Sequence, residues 1–298
     1  MTCDAQNAFV SLTPIEKGWS GDRKYRAVYP DGTVVLYRVT PPDSYRRKKE
    51  EFAYMQRAAA LGVPMCRPFA FGVNSDGVFS VQSWVDGEDA EEAIPRLSRQ
   101  EQFSFGEEAG RSLKLLHALP APADAEDWET RFRRKIDRKL ALYEACPLRY
   151  PRGELFCEYI RENRVLLRGR PQVMQHGDFH IGNMMLSGGR LTVIDFNRFD
   201  YGDPYEEFNR IVWSAQASPA FAAGQVRGYF DGDPPMLFWQ LLALYIALNT
   251  LASLPWAIPF GQGEIDTMLR QAEEVLEWYQ EMKSCIPAWY AGGCAGLQ

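Results

Sequence analysis

The residues of this chain best suited to chemistry gather in one stretch, Val173 to Arg210. An apolar run leads into His176-Gly177-Asp178-Phe179-His180-Ile181-Gly182-Asn183. A β-hairpin is predicted next, with strands Met184–Leu186 and Leu191–Ile194 around a Ser187-Gly188-Gly189 turn, ending at Asp195-Phe196. An acid, an amide five residues on and a second acid beyond a short hairpin can converge on one point. Such a set suits phosphoryl transfer from a nucleotide. One carboxylate positions or deprotonates the acceptor hydroxyl, while hard oxygen ligands hold magnesium. Asp178, Asn183 and Asp195 fill those places. As mere core they would be a poor choice, since buried polar groups each need a partner.

The flanking sequence predicts what positions them. Phe9–Ile15, Lys24–Tyr29 and Thr33–Val39 read as strands, with Pro30-Asp31-Gly32 as a hairpin turn. Lys17 to Asp22 forms a glycine-containing loop between the first two strands. A helix over Ser44–Leu61 carries Phe52, Met55 and Ala59 at helical spacing and stops at Gly62 and Pro64. Phe69–Val73 and Gly77–Val85 complete a five-stranded sheet with one helix. The character then changes at Asp86-Gly87-Glu88-Asp89. Ser98 and Glu101 form a capping box that opens a helix running to His117. A second long helix has Trp128, Phe132, Ile136, Leu140 and Tyr143 near every fourth position. Its Arg131, Arg133, Arg134, Lys135, Arg138 and Lys139 read as a solvated face. Residues 155–167 and most of 207–283 also read as helical. The expectation is an α+β chain: a small β-rich N-terminal lobe over 1–86, a hinge about 83–88, and a larger, mainly helical C-terminal lobe over 87–298.

Charge and cysteine usage exclude other classes. Lys and Arg number 33 against 39 Asp and Glu, a net −6 that disfavours a nucleic-acid partner. Residues 1–88 carry 11 basic and 10 acidic residues, so the remaining 22 and 29 leave −7 on the rest. That balance is compatible with a cationic acceptor. Cys3, Cys66, Cys146, Cys157, Cys285 and Cys294 are scattered without a CxxC pair, as expected of reduced thiols in the cytoplasm. The three histidines lack metal-binding spacing, so zinc has no support. Of these, His117 reads as core packing. Met236–Phe260 has the length of a membrane span. Gln240 and Asn249 interrupt it and Pro255 and Pro259 break its end, so a buried helix is expected and no membrane partner.

The motif order adds a family. His176 through Asn183, then Ile194-Asp195-Phe196, then Gly202-Asp203-Pro204 with Glu207, resembles the aminoglycoside phosphotransferase and choline kinase-like small-molecule kinases. The resemblance covers nearly the whole chain and implies a two-lobed protein-kinase-like fold. It implies Asp178 as catalytic base, Asn183 and Asp195 as Mg²⁺ ligands, and ATP, or alternatively GTP, as phosphoryl donor. His176 and Asp203 would brace the site; His180 would brace it or touch phosphate. Gly18, Ser20 and Gly21 would cover the phosphates, and Arg38 on the third strand would clamp them. Arg38 stands where protein kinases carry Lys, and its partner would be Glu51, with Glu50 next. Trp84 and Val85 would lie in the linker whose backbone meets the purine, with plain packing the other reading for Trp84. Glu207 departs from the Asp usual at its position. The implied activity is phosphorylation of a small-molecule hydroxyl, first an aminoglycoside-type antibiotic, alternatively a choline- or sugar-type metabolite. A nucleotide-binding pseudoenzyme is a third reading. A protein kinase is disfavoured by the lack of HRD, DFG and APE strings.

Overall fold

The computed structural model describes residues 9–16 and 21–296. In chain order the elements are β1 (Ser11–Pro14), β2 (Arg23–Val28), β3 (Val34–Thr40), α1 (Tyr45–Ala60), β4 (Pro68–Asn74), β5 (Gly77–Ser83), β6 (Glu88–Asp89) and α2 (Ala90–Ala93). Then come α3 (Arg99–Leu116), α4 (Trp128–Ala145), α5 (Gly153–Asn163), β7 (Val173–Gln175), β8 (Met184–Ser187), β9 (Arg190–Val193) and β10 (Asp200–Gly202). The chain finishes with α6 (Ile211–Ala217), α7 (Pro219–Phe230), α8 (Met236–Ala257), α9 (Gln262–Trp278) and α10 (Ala288–Cys294).

The fold divides into two compact units, Met1–Ala90 with Asn183–Phe199, and Glu91–Gly182 with Asp200–Gln298. This differs from a simple cut at 86. The hairpin β8–β9 groups with the N-terminal unit because β8 pairs with β6, Glu88 opposite Leu186 and Asp89 opposite Met185. Val193 also bonds back to this unit, donating its N–H to Pro64 (2.8 Å) and accepting from the N–H of Cys66 (3.1 Å).

In the N-terminal unit the five strands pair antiparallel in the order β1-β2-β3-β5-β4. Period-two alternation sends Val35, Tyr37 and Val39 of β3 into a core with Ala27, Phe79 and Val81. Arg38 therefore emerges on the other face, beside α1. The buried stripe of α1 is Glu51, Tyr54, Met55 and Ala58. Met55 is buried as expected, but Phe52 and Ala59 are only half-buried, and the turn of the helix brings the Glu51 carboxylate inside. In the β8–β9 hairpin, Gly188 (φ 56°) and Gly189 (φ 75°) both take the left-handed conformation. Two positive φ values in a two-residue loop match the right-handed twist of the flanking strands.

The C-terminal unit is built on a close crossing of α3 and α7. Gly106 and Gly110 of α3 face the backbone of α7, and Gly224 and Gly228 of α7 face the backbone of α3. Any Cβ at these places would collide with main-chain atoms of the partner helix, which cannot swing aside. Gly106→Ala is therefore expected to cost toward the upper end of about 1–3 kcal/mol for overpacking. That outweighs the roughly 1 kcal/mol that Ala gains over Gly in a helix. A urea midpoint as high as wild type would refute the close crossing. The Ser98–Glu101 capping box is present as predicted. Helix α8 is long and apolar enough to cross a membrane. Its buried residues lie on every side, among them Phe238, Leu241, Ala243 and Ile246.

Candidate active site

In the C-terminal unit, β7 leads into the loop that carries Asp178, and hydrogen bonds fix several of its polar groups. His176 is fully buried, and its Nδ1 accepts the Asp178 backbone N–H at 3.3 Å. Glu207, 1% exposed, accepts the Gly177 N–H on both oxygens (3.0 and 3.2 Å). Gly177 has φ 82°, a turn that a side chain would strain. The extra methylene of Glu207, in place of the expected Asp, thus still reaches the loop. Nε2 of the buried His117 lies 3.9 Å from Glu207 Oε2, while its Nδ1 meets the Tyr229 hydroxyl at 2.9 Å. His117 is core packing, as expected, and it also backs the loop's carboxylate support.

Asp178 itself is four-fifths buried and faces Arg210 Nε at 3.2 Å. His180 Nδ1 accepts the Gly182 N–H at 3.1 Å, so in the neutral ring the proton sits on Nε2, 3.9 Å from Asp178 Oδ1. Of the two readings for His180, loop support is the one this bond expresses. Arg210 carried no signal in the sequence reading. A lone basic residue after an acidic segment looks like any surface charge.

Asp203 is fully buried at the start of the segment that follows β10. Arg170 grips it with two parallel bonds (2.7 and 2.9 Å), the Tyr245 hydroxyl donates at 2.7 Å, and the Tyr205 N–H donates at 2.9 Å. Only one of these donors is backbone. Burial and the neighbouring Asp203 charge raise the Tyr245 phenol well above its ordinary value, so it stays protonated and donating. The basic run of α4 is not simply a solvated face. Arg131 donates to the Tyr201 carbonyl (2.5 Å) and pairs with Asp200, and Lys135 bonds Glu206 at 2.9 Å. Two of its cations thus hold the 200–206 segment in place.

In the N-terminal unit, Asn183 precedes β8 and Asp195 follows β9, and the Ile194 N–H donates to the Asn183 carbonyl at 3.0 Å. The base of the hairpin so brings these two residues together. Asp195 takes the left-handed conformation (φ 63°, ψ 67°), uncommon outside glycine, and its carboxylate is one-third exposed. A carboxylate beside an amide is a hard-oxygen donor set, which fits a magnesium ion that draws its other ligands from phosphate and water.

Arg38 Nη1 lies 3.3 Å from Asp195 Oδ1. The expected Arg38–Glu51 hydrogen bond is replaced. Arg38 Nε and Nη2 donate to Asp22 Oδ2 (3.2 and 2.6 Å), and Glu51 instead bonds Lys48 at 2.9 Å. The reason is helical spacing: Lys48 lies one turn before Glu51 on the same face and meets it first. Glu51 acts on Arg38 through space. Burial works against the guanidinium charge, but Asp195, Glu51 and Asp22 more than offset it and raise its pKa. Glu50, the other candidate, is exposed and pairs with Arg46 (3.2 Å). Trp84 is half-buried with the Arg26 guanidinium 5.7 Å from its ring, and it and Val85 directly follow β5. Gly21 has open space around it, whereas Gly18 and Ser20 lie outside the described residues.

The sequence profile of the phosphotransferase enzyme family (APH) matches residues 11–239, and the chain belongs to that family. The family match, together with a β-sheet unit and a mainly helical unit, makes this chain a kinase-like small-molecule phosphotransferase. A thermostable mutant of aminoglycoside phosphotransferase APH(4)-Ia, in its apo form, is similar with a TM-score of 0.66 at 16% identity, over 91% of this chain and 95% of its own. A choline/ethanolamine kinase family protein from Mesorhizobium loti gives 0.68 at 17% identity, over 97% and 96%. Amicoumacin kinase hAmiN, solved with AMP-PNP, Ca²⁺ and Ami, gives 0.65 at 13% identity, over 95% and 93%. At such identities the likeness establishes the fold. No curated protein matches the chain.

Proposed function

We propose that this phosphotransferase moves the γ-phosphoryl group of ATP, or alternatively GTP, to a hydroxyl of a small molecule in a Mg²⁺-dependent reaction. The observation that carries this reading is the hairpin base, where the Ile194 N–H bonds the Asn183 carbonyl next to Asp195, with the buried Arg38 guanidinium on the Asp195 carboxylate. Oxygen ligands next to a fixed cation suit a metal–triphosphate. When bound, Mg²⁺ supplies charge neutralisation between the phosphates. Arg38 steadies the phosphate oxygens, and Asp195 and Asn183 offer the metal their side-chain oxygens. Asp178 orients the acceptor hydroxyl and takes its proton as the new O–P bond forms and the nucleoside diphosphate leaves. The transition state is largely dissociative, so positioning and charge dominate over raw basicity.

For the acceptor we carry an aminoglycoside-type antibiotic first and a choline- or sugar-type metabolite second. The −7 charge beyond residue 88 supports a cationic acceptor in either case. The similarity to the Mesorhizobium loti choline/ethanolamine kinase family protein is what keeps the second reading alive. A cytoplasmic location belongs to the same proposal, supported by free thiols at all five described cysteines.

The test is coupled nucleoside-diphosphate release with ATP and GTP separately, over aminoglycosides, macrolides, choline and sugars, with Asp178→Ala as the blank. Stimulation by one acceptor class supports the proposal and names its substrate. Nucleotide binding without stimulation by any acceptor favours a pseudoenzyme. Removing the metal with EDTA is expected to abolish turnover and excess Mg²⁺ to restore it. Turnover that persists in EDTA would remove Asn183 and Asp195 from their assigned role.

A further inference from the structure

One carboxylate in the N-terminal unit is held by two cations at once. Asp22 lies in a bend just before β2, at the end of the loop that joins β1 to β2. Its Oδ2 accepts three donors from two cations: Arg38 Nε at 3.2 Å, Arg38 Nη2 at 2.6 Å and Lys48 Nζ at 2.9 Å. Arg38 comes from β3 and Lys48 from α1, so the two cations reach this oxygen from separate elements. A single anionic oxygen held by the edge of a guanidinium and an ammonium is how a phosphate oxygen is bound. The three groups line one cavity together with Glu51, which anchors Lys48. Burial alone would raise the Asp22 carboxyl, yet Arg38 and Lys48 outweigh it and hold it below the usual carboxylate range.

We infer that Asp22 is an internal occupant of the phosphate subsite, and that Lys48 is a second phosphate-binding cation beside Arg38. This rests on the reading that the N-terminal unit takes a nucleoside triphosphate. An incoming phosphate oxygen and the Asp22 carboxylate compete for the same two cations, because like charges held this close repel away from bulk water. Nucleotide binding therefore requires Asp22 to swing out. Its position in a bend, outside the strand ladder, lets it do so without unpairing β2 from β3. Lys48, already held by Glu51, stays to receive the ligand.

The experiment measures equilibrium binding of ATP and of inorganic tripolyphosphate to the full chain. The variants are wild type, Asp22→Asn, Lys48→Gln and the double variant, each checked for native circular dichroism. Asp22→Asn keeps shape and removes charge, and it is expected to tighten both probes about tenfold. Lys48→Gln in the Asp22→Asn background is expected to reverse that gain, which a lysine serving only to neutralise Asp22 would not do. ATP bound equally well by wild type and Asp22→Asn would overturn the inference while leaving the nucleotide reading intact. Tighter tripolyphosphate binding by Asp22→Asn, with no acceptor-stimulated turnover by any variant, would support the inference and sink the phosphotransfer reading. Folded protein that binds neither probe in any variant would overturn both. A thermal shift by ATP that is larger for Asp22→Asn than for wild type is the second expected sign, and it holds even if the variant is less stable alone.

Discussion

Asp178→Ala is expected to lower turnover by about 10²–10⁴-fold, the range that a positioned acid or base supplies. The loss should fall nearer the lower end, because a dissociative transition state leaves the proton on the hydroxyl until late. Nucleotide affinity should stay within about threefold, since an interaction made to the acceptor affects the chemical step and not the donor's ground state. On the proposed function, the other polar groups of this loop have tasks of their own. His176 and Glu207 are committed to the loop backbone, accepting the N–H groups of Asp178 and Gly177. His180 spends its Nδ1 on Gly182. Asp178 is the carboxylate on this loop that faces a side-chain cation, Arg210 at 3.2 Å, which orients it. Single-turnover rates and nucleotide titrations on the same preparation measure both halves. A rate near wild type would remove the base from Asp178.

The second large effect concerns stability. Asp203→Ala is expected to cost about 3–5 kcal/mol, because it strips the partner from a buried guanidinium. Arg170 is about nine-tenths buried, and its two bonds to Asp203 are replaced by nothing in the alanine variant. The Tyr245 hydroxyl on α8 loses its acceptor as well. In thermal unfolding the loss corresponds to roughly 5–15 °C for a chain of this size. Asp203→Asn keeps one acceptor oxygen, for either the Tyr245 hydroxyl or the Tyr205 N–H but not both, and should lose somewhat less than alanine. A melting temperature for Asp203→Ala within about 2 °C of wild type would show that water replaces the carboxylate at little cost.

Much of the candidate site could be read from residue types and spacing. Asp178, Asn183 and Asp195 stand out because a hairpin of known length separates the last two and the turn residues Gly188 and Gly189 fix that length. Arg38 stands out as the one basic residue within a strand that otherwise reads apolar. Its partner was not legible. Whether Arg38 meets Glu51 or Asp22 depends on how far α1 is rotated, and the helical period tolerates Phe52 or Glu51 on the inner face. Helix α1 turned Glu51 inward, which the apolar pattern argued against. The α3–α7 crossing was hidden for another reason. Its glycines are small residues at four-residue spacing on two helices more than a hundred residues apart, and neither helix alone shows what its glycines face. The short strand β6 was hidden by composition, since Glu88 and Asp89 favour neither strand nor core and were read as hinge. Arg131 and Lys135 carried the pattern of a solvated face, yet their long stems reach carbonyl and carboxylate partners on the 200–206 segment.

The grouping of the β8–β9 hairpin with the first ninety residues bears on how the protein can be cut. An expressed fragment ending at Ala90 would keep Arg38, Lys48 and Glu51 but lack Asn183 and Asp195. It would also lose the bonds from Val193 to Pro64 and Cys66, and the rings of Phe196 and Phe199 that pack on Tyr54. A fragment beginning at residue 91 would carry that hairpin without the strand it pairs with, leaving an open edge inclined to aggregate. Shuffling or truncation at the apparent hinge thus separates residues that this unit holds together. A faithful excision joins 1–90 to 183–199 through a designed linker.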